Sequence, residues 1–250
     1  MDNVNRLAEI IGGSKNVVFF GGAGVSTESN IPDFRSESGL YAAQERYGHA
    51  PEEMLSRSSF QRKTDLFFEY YKQNLLHRDA APNNAHLALA WLEDTGLLSA
   101  VITQNIDGLH QAAGSKNVIE LHGTNHRHYC VACSNIYDLD YITHDGNCEG
   151  NVPKCAKCGS IVRPDVVLYG EQLNENVITR AVSAIAAADC LIIGGTSLVV
   201  YPAAGLINYF GGGNLVLINK SKTAYDDRAC LAIYDSIGAV LGGVKKILED

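Results

Sequence analysis

Five short apolar runs, each stopped by glycine or by a polar cluster, constrain this chain more than any other feature. They cover residues 16–20, 100–103, 118–121, 190–195 and 215–218. None alternates apolar with polar, so each reads as a strand buried on both faces, and such strands belong to parallel sheets covered by helices. Helical spacing recurs between them, in Val177, Ala181, Ala184, Ile185 and Ala188 and across 83–92, and at the N-terminus in Val4, Leu7, Ala8 and Ile11. This alternation predicts an α/β fold with a doubly wound parallel sheet.

Two stretches break the pattern. Residues 39–78 are polar, aromatic and helical in spacing, and residues 127–163 hold five of the seven cysteines. Both read as insertions that form a smaller lobe on a main domain of 1–38, 79–126 and 164–250, and the junction of two lobes favours a ligand cleft. The 20 Lys and Arg against 28 Asp and Glu leave a net charge of -8. That field repels polyanions, which argues against nucleic acid as a partner and for a cationic peptide. No run reaches the ~18 apolar residues of a membrane span, and the N-terminus carries no apolar leader block, so the expected location is cytoplasmic.

In a reducing compartment, paired cysteines point to metal or redox chemistry before disulfides. Cys130 and Cys133 form one CxxC pair, Cys155 and Cys158 a second, and 21 residues (134–154) lie between the pairs. Each pair can present two thiolates to one tetrahedral ion, a zinc-ribbon arrangement with no open position, so the expected zinc is structural. Cys148, His126, His128 and His144 are nearby alternative ligands. Cys190 and Cys230 fall in the strand regions and read as buried small hydrophobes.

Gly22-Ala23-Gly24 followed by Val25-Ser26-Thr27 is similar to the start of a dinucleotide loop, with Thr27 where a third glycine would stand. Glycines there would let backbone N–H groups approach a pyrophosphate at a helix N-terminus. Three more polar clusters sit near predicted strand ends: Ile31-Pro32-Asp33-Phe34-Arg35, residues 103–110 (Thr-Gln-Asn-Ile-Asp-Gly-Leu-His) and Glu120-Leu121-His122-Gly123. Together with the cysteine pairs, residues 168–171 and 195–198, and a late Asn219, they closely resemble the motifs of the sirtuins, NAD-dependent protein lysine deacylases, here of the bacterial, zinc-containing type. The likeness runs in order from Gly22 to Asn219. Asn30 departs from the usual Gly before Ile31, Tyr169 from the usual Phe, and Thr124 follows His122-Gly123.

The resemblance implies a Rossmann-like sheet with a zinc-ribbon and helical lobe inserted, and NAD as co-substrate. It implies that Gly22, Ala23, Gly24, Ser26 and Thr27 hold the pyrophosphate and that Phe34 and Arg35 lie on a loop closing over the nicotinamide ribose. Gln104 would bind ribose, Asn105, Ile106 and Asp107 would receive nicotinamide, and Gly195, Thr196, Ser197, Asn219 and Ile237 would hold the adenosine end. His122 would be the catalytic base at the ribose hydroxyls, with Asn105 the second catalytic residue. The acyl oxygen of the modified lysine would attack the nicotinamide ribose, giving nicotinamide, free lysine and O-acyl-ADP-ribose. The acyl-lysine would lie near Val167 and Tyr169, its backbone adding a strand between Gly170-Glu171 and Leu198-Val199-Val200. Mono-ADP-ribosyl transfer to protein and a non-catalytic NAD-sensing module are the competing readings. Finally, residues 67–74 are similar to the segment that carries a Tyr-x-x-Arg pair in desuccinylating sirtuins, with Tyr71 and Asn74 at those positions, which implies acetyl over acidic acyl groups.

Overall fold

The structure, a computed structural model, describes residues 2–33 and 47–249. Its strands are β1 (Val17–Gly21), β2 (Leu98–Thr103), β3 (Val118–Glu120), β4 (Gly123–Cys130), β5 (Ile136–Tyr137), β6 (Cys148–Glu149), β7 (Val152–Pro153), β8 (Val162–Val166), β9 (Cys190–Gly194), β10 (Asn214–Ile218) and β11 (Leu231–Ile233). Six of these make one sheet in the order β11-β10-β9-β1-β2-β3, every neighbouring pair parallel. The chain runs outward from β1 to β3 on one side and from β9 to β11 on the other. The order of travel therefore reverses between β1 and β9, the place where open α/β sheets bind their ligands.

Apolar side chains cover both faces of this sheet, as the non-alternating runs require. On one face Val17, Phe19, Val101, Ile192 and Val216 pack with helices α1 (Asn3–Gly13), α5 (Asn84–Asp94) and α9 (Ile237–Glu249). On the other, Val18, Phe20, Ile102, Leu191 and Leu217 meet Ala181 and Ile185 of α8 (Glu175–Ala187). Cys190 is buried as expected, whereas Cys230 is only half-buried at the rim of the first core. Helix α5 opens with a capping box in which Asn83 accepts from the Ala85 amide, while its own Nδ2 donates to the Val25 carbonyl and the Ser29 hydroxyl. One N-cap therefore fixes both a helix and the glycine loop after β1.

The two insertions share a core of their own. Met54 of α2 (Pro51–Met54) and Phe67, Phe68, Tyr70 and Tyr71 of α4 (Thr64–Asn74) pack with Cys130, Ile142, Val152, Cys155, Val162 and Leu168. The short α3 (Arg57–Arg62) links the two helices, and two further short helices, α6 (Leu109–Ala112) and α7 (Leu139–Thr143), follow β2 and β5. β4 carries the chain out of the main sheet region into an antiparallel β5-β4-β8 sheet. No helix among the described residues is long and apolar enough to cross a membrane.

Candidate active site

The glycine loop is built against the end of β9. The Gly24 amide donates to the Gly195 carbonyl at 2.8 Å. A Cβ on Gly24 would stand 2.8 Å from the Gly195 Cα, and one on Gly195, whose φ is +59°, would stand 2.4 Å from the Val25 nitrogen. Only glycine at both positions allows this approach, which leaves a backbone-walled cradle at the switch point. The expected helix after the loop is replaced here by two 3₁₀ turns, Ala23–Val25 and Thr27–Ser29, so a long helix dipole does not face the cradle from this segment. Asn30 adopts the left-handed conformation at φ +61°, where Asn substitutes for glycine at little cost.

Around the cradle opens a cleft of about 1420 Å³ between the main sheet and the small lobe. Gly22, Ala23, Gly24, Ser26, Thr27, Gln104, Asn105, Ile106, Asp107, His122, Gly195, Thr196, Ser197, Asn219 and Ile237 all line it, as do Val167, Tyr169, Gly170, Glu171 and Val200. Phe34 and Arg35 lie outside the described residues. Leu198 and Val199 are not in the wall: Leu198 is buried in the second core at φ +56°, and the Val199 side chain is exposed. Glu171 reaches the wall with its carboxylate already committed to Arg163 at 2.8 and 3.0 Å and to the Leu168 amide. Burial, the largest single influence, would raise its pKa, but the Arg163 guanidinium, the Leu168 amide and the Arg57 charge together hold it below the usual range. At these positions a visiting chain can meet backbone; the Leu198 and Glu171 side chains serve the fold.

Three contacts fix the polar centre. The buried Ser26 hydroxyl donates to Asp107 Oδ2 at 2.7 Å and accepts from Asn105 Nδ2 at 3.0 Å. Asp107 Oδ1 takes the Leu109 amide. Gln104 joins the strand ends, its Nε2 donating to Thr196 Oγ1 and its carbonyl accepting from His122 Nδ1 at 2.9 Å. A carbonyl can only accept, so Nδ1 carries the proton and Nε2 is left as the acceptor of the ring. Burial holds the His122 pKa below 6.5, against the opposing pull of the Gln104 carbonyl, and keeps the imidazole neutral at pH 7.

The far end of the cleft, at Thr196 and Asn219, shows a complementary signature. Asn219 Oδ1 accepts the Thr196 amide, while its buried Nδ2 has no partner among the described residues. A buried amide donor facing a cleft is the sort of group a ribose hydroxyl would satisfy. Ile237 begins α9 and packs under Gly194, where an added Cβ would come within 2.3 Å of its Cδ1. The residues present thus fit a dinucleotide.

Both CxxC pairs fold into matching knuckles. Ser134 N donates to the Cys130 carbonyl and Gly159 N to that of Cys155, and the residue after each second cysteine has positive φ, +56° at Ser134 and +74° at Gly159. The Sγ atoms of Cys130, Cys133, Cys155 and Cys158 lie within 4.8 Å of one another, with close pairs at 3.4–3.6 Å. Four ligands at ~2.3 Å from a tetrahedral zinc would be ~3.8 Å apart, so the thiols fit that ion. Other ligand candidates have other partners: Cys148 takes Lys72 Nζ at 3.3 Å, His128 meets the Tyr71 hydroxyl at 3.2 Å, His144 accepts the Gly146 amide, and His126 donates to the Asp107 carbonyl.

Asn125 is a residue that motif reading missed. Its amide donates to the Ile106 carbonyl, its Nδ2 to the Leu75 carbonyl, and its Oδ1 accepts the Tyr71 hydroxyl at 2.8 Å. It ties the loop at Ile106 to the helical insertion.

A glycine cradle at the switch point of a parallel sheet, a neutral histidine beside it and a four-thiol cluster in the second lobe define a nucleotide-binding α/β enzyme with a metal-site insertion. A family model, Sir2 family, matches residues 22–202. The chain belongs to the Sir2 family of NAD-dependent protein deacetylases. An NAD-dependent protein deacetylase of Clostridium perfringens is 59% identical over 244 residues, which span 97% of this chain and 98% of that protein. Another, of Clostridium acetobutylicum, is 58% identical over 241 residues, 96% of this chain and 97% of the relative. Among solved structures, a Sir2 variant with deacetylated p53 peptide and 3′-O-acetyl ADP ribose superposes with a TM-score of 0.89 at 36% identity, covering 98% of each chain. A Sir2–p53 peptide–NAD+ structure does so with a TM-score of 0.85 at 38% identity, covering 100% of this chain and 98% of that one.

Proposed function

We propose that this chain removes acetyl groups from lysines of proteins, with NAD as co-substrate, and releases nicotinamide and O-acetyl-ADP-ribose. The observation that carries the reading is His122: neutral, oriented by the Gln104 carbonyl, and set on the cleft wall with Asn105 and Asp107. When bound, NAD supplies the electrophilic ribose carbon that captures the acetyl oxygen. Everything else is positioning. Gly22, Ala23, Gly24, Ser26 and Thr27 would hold the pyrophosphate and Gln104 ribose. Asn105, Ile106 and Asp107 would hold the carboxamide of nicotinamide. Gly195, Thr196, Ser197, Asn219 and Ile237 would hold adenosine, with Phe34 and Arg35 closing over the cofactor.

His122 accepts a proton at Nε2 from a ribose hydroxyl, and Asn105 is the second catalytic residue. The walls from Val167 to Glu171 and at Val200 shield the reaction from water and seat the acetyl-lysine, whose main chain pairs with the Gly170 and Val199 backbone. The two insertions, 39–78 and 127–163, serve as the small lobe and the remainder as the NAD-binding domain. The four cysteines hold one structural zinc, and a reducing cytoplasm suits such thiols. The test is an acetyl-lysine peptide incubated with and without NAD, with products followed by mass spectrometry. Nicotinamide and O-acetyl-ADP-ribose should appear together and only with NAD; ADP-ribose left on protein instead would overturn the reading.

A further inference from the structure

His126, which neither the zinc set nor the proposed catalytic set uses, stands where three independent features converge. First, pairing between β4 and β8 slips here: Thr124 faces Asp165 and His128 faces Pro164, so residues 125–127 of β4 oppose no separate partners. Such a bulge re-aims side chains, and bulges gather beside active sites. Second, the re-aimed imidazole crosses from β4 to the loop after β2, where Nε2 donates to the Asp107 carbonyl at 2.9 Å. Third, Gly108 makes room for it. At φ +73°, a Cβ on Gly108 would lie 2.4 Å from His126 Nε2, so the ring sits where any other residue's side chain would be.

We propose that His126 is a positioning residue for the nicotinamide pocket, clamping the 105–108 loop from the small-lobe side. The inference rests on the assignment of Asn105 and Asp107 to that pocket. Asp107 is held at three points: Ser26 and the Leu109 amide bind its carboxylate, and His126 binds its carbonyl. The Asn125 amide holds the neighbouring Ile106 carbonyl at 2.9 Å. Two of these clamps therefore come from consecutive residues of one bulge. Without His126, the peptide between Asp107 and Gly108 loses its only side-chain hydrogen-bond donor among the described residues, and the glycine leaves it free to turn.

The consequence is selective. Loosening this loop should weaken handling of NAD and nicotinamide and leave acetyl-peptide binding alone, because the Val167–Glu171 wall is held by other contacts. His126→Phe keeps the ring and removes the donor; His126→Gln places an amide N–H near the position of Nε2. We expect KM for NAD and the nicotinamide concentration for half-inhibition to rise about three- to tenfold in His126→Phe, the range of one lost hydrogen bond. Peptide KM and melting temperature should stay within about twofold and about 2 °C. His126→Gln should recover most of the loss. Unchanged NAD and nicotinamide values in His126→Phe would overturn the proposal. So would a loss confined to melting temperature or to peptide KM, or a failure of Gln to rescue. Asp107→Ala serves as the control: if it too leaves nicotinamide inhibition unchanged, the pocket assignment itself has failed.

Discussion

The two lobes of this protein are stabilised by different means. The sheet lobe rests on aliphatic side chains fully withdrawn from water, such as Val17, Ile102, Ile192 and Val216. Its order follows from periodicity that any segment carries by itself. The small lobe has aromatic rings, Phe67, Phe68, Tyr70 and Tyr71, packed on a four-thiol cluster, and its strands β5, β6 and β7 are two residues each. Such strands are too short to stand alone, so the lobe leans on its aromatic core, and an ion held by the four thiols would close it. The difference teaches where function can sit: the cleft draws walls from both lobes, and its chemistry depends on the less self-sufficient one staying folded.

The largest expected effect separates the lobes outright. Binding of a structural zinc is worth on the order of 10 kcal/mol, so stripping it with a strong chelator, or replacing the buried Cys130 by Ser, should unfold the small lobe. Amide exchange should rise sharply across β4, β8 and α4 and stay slow across β1, β9 and β10, with deacetylation lost. Equal exchange in both lobes would break the distinction. Metal content should be one ion per chain, and Cys148→Ser should leave it unchanged.

Acid should strain both lobes through one buried histidine in each. Burial, aided by His86, pushes His110 of the sheet lobe down to about 3, and burial pushes His128 of the small lobe down to about 4. Unfolded, each titrates near 6.5, so between that value and its folded one the unfolded chain binds more protons. Each histidine's contribution is complete above pH 6.5 and falls, by up to about 1.4 kcal/mol per pH unit, as pH drops toward 3 or 4. Melting followed at pH 7 and pH 5 by far-UV circular dichroism and by metal release should fall in both signals. A signal that does not move would show that its histidine stays protonatable inside the fold.

A smaller effect probes the seam itself. Tyr71 and Asn74 both line the cleft, but the Tyr71 hydroxyl is committed to Asn125 and Asn74 Nδ2 to the Tyr70 carbonyl. Lys72 points to Cys148, and Arg78, though on the cleft wall, is paired with Asp140. A succinyl carboxylate would therefore find no free cation among these residues, and its desolvation should cost several kcal/mol, of which about 2–3 would survive partial hydration. The ratio of kcat/KM for acetyl- over succinyl-lysine in one peptide should be about 10². Equal turnover would show that the helical insertion does not screen the acyl group.

The same contrast explains what was legible in the sequence. β1, β2, β3, β9 and β10 announce themselves because each is a continuous apolar run. β11 was marked only by the strand region around Cys230 and not as a run of its own. Helix α9 carries Ile237, Val240, Leu241 and Val244 at helical spacing, but Gly238, Gly242 and Gly243 dilute its propensity. Gly238 has a tertiary reason: its amide donates to Glu28 Oε1, and a Cβ would strike that carboxylate. The thiol cluster was legible from spacing alone because metal chemistry fixes its ligands. Asn125 and the bulge around His126 were not, since their meaning lies in which distant carbonyls they reach. At Leu198 the chain turns through positive φ and sends that side chain into the core and the Val199 side chain into water, so these two positions offer backbone for the strand pairing expected of them.

The seam is tested most directly by His122→Ala, assayed for nicotinamide and O-acetyl-ADP-ribose on an acetyl-lysine peptide, with melting temperature and metal content measured on the same preparation. Product formation should fall at least about 10²-fold, as loss of a general base entails, while stability and metal content stay at wild-type values. Wild-type product formation in the folded variant would contradict the assignment of His122 as the base.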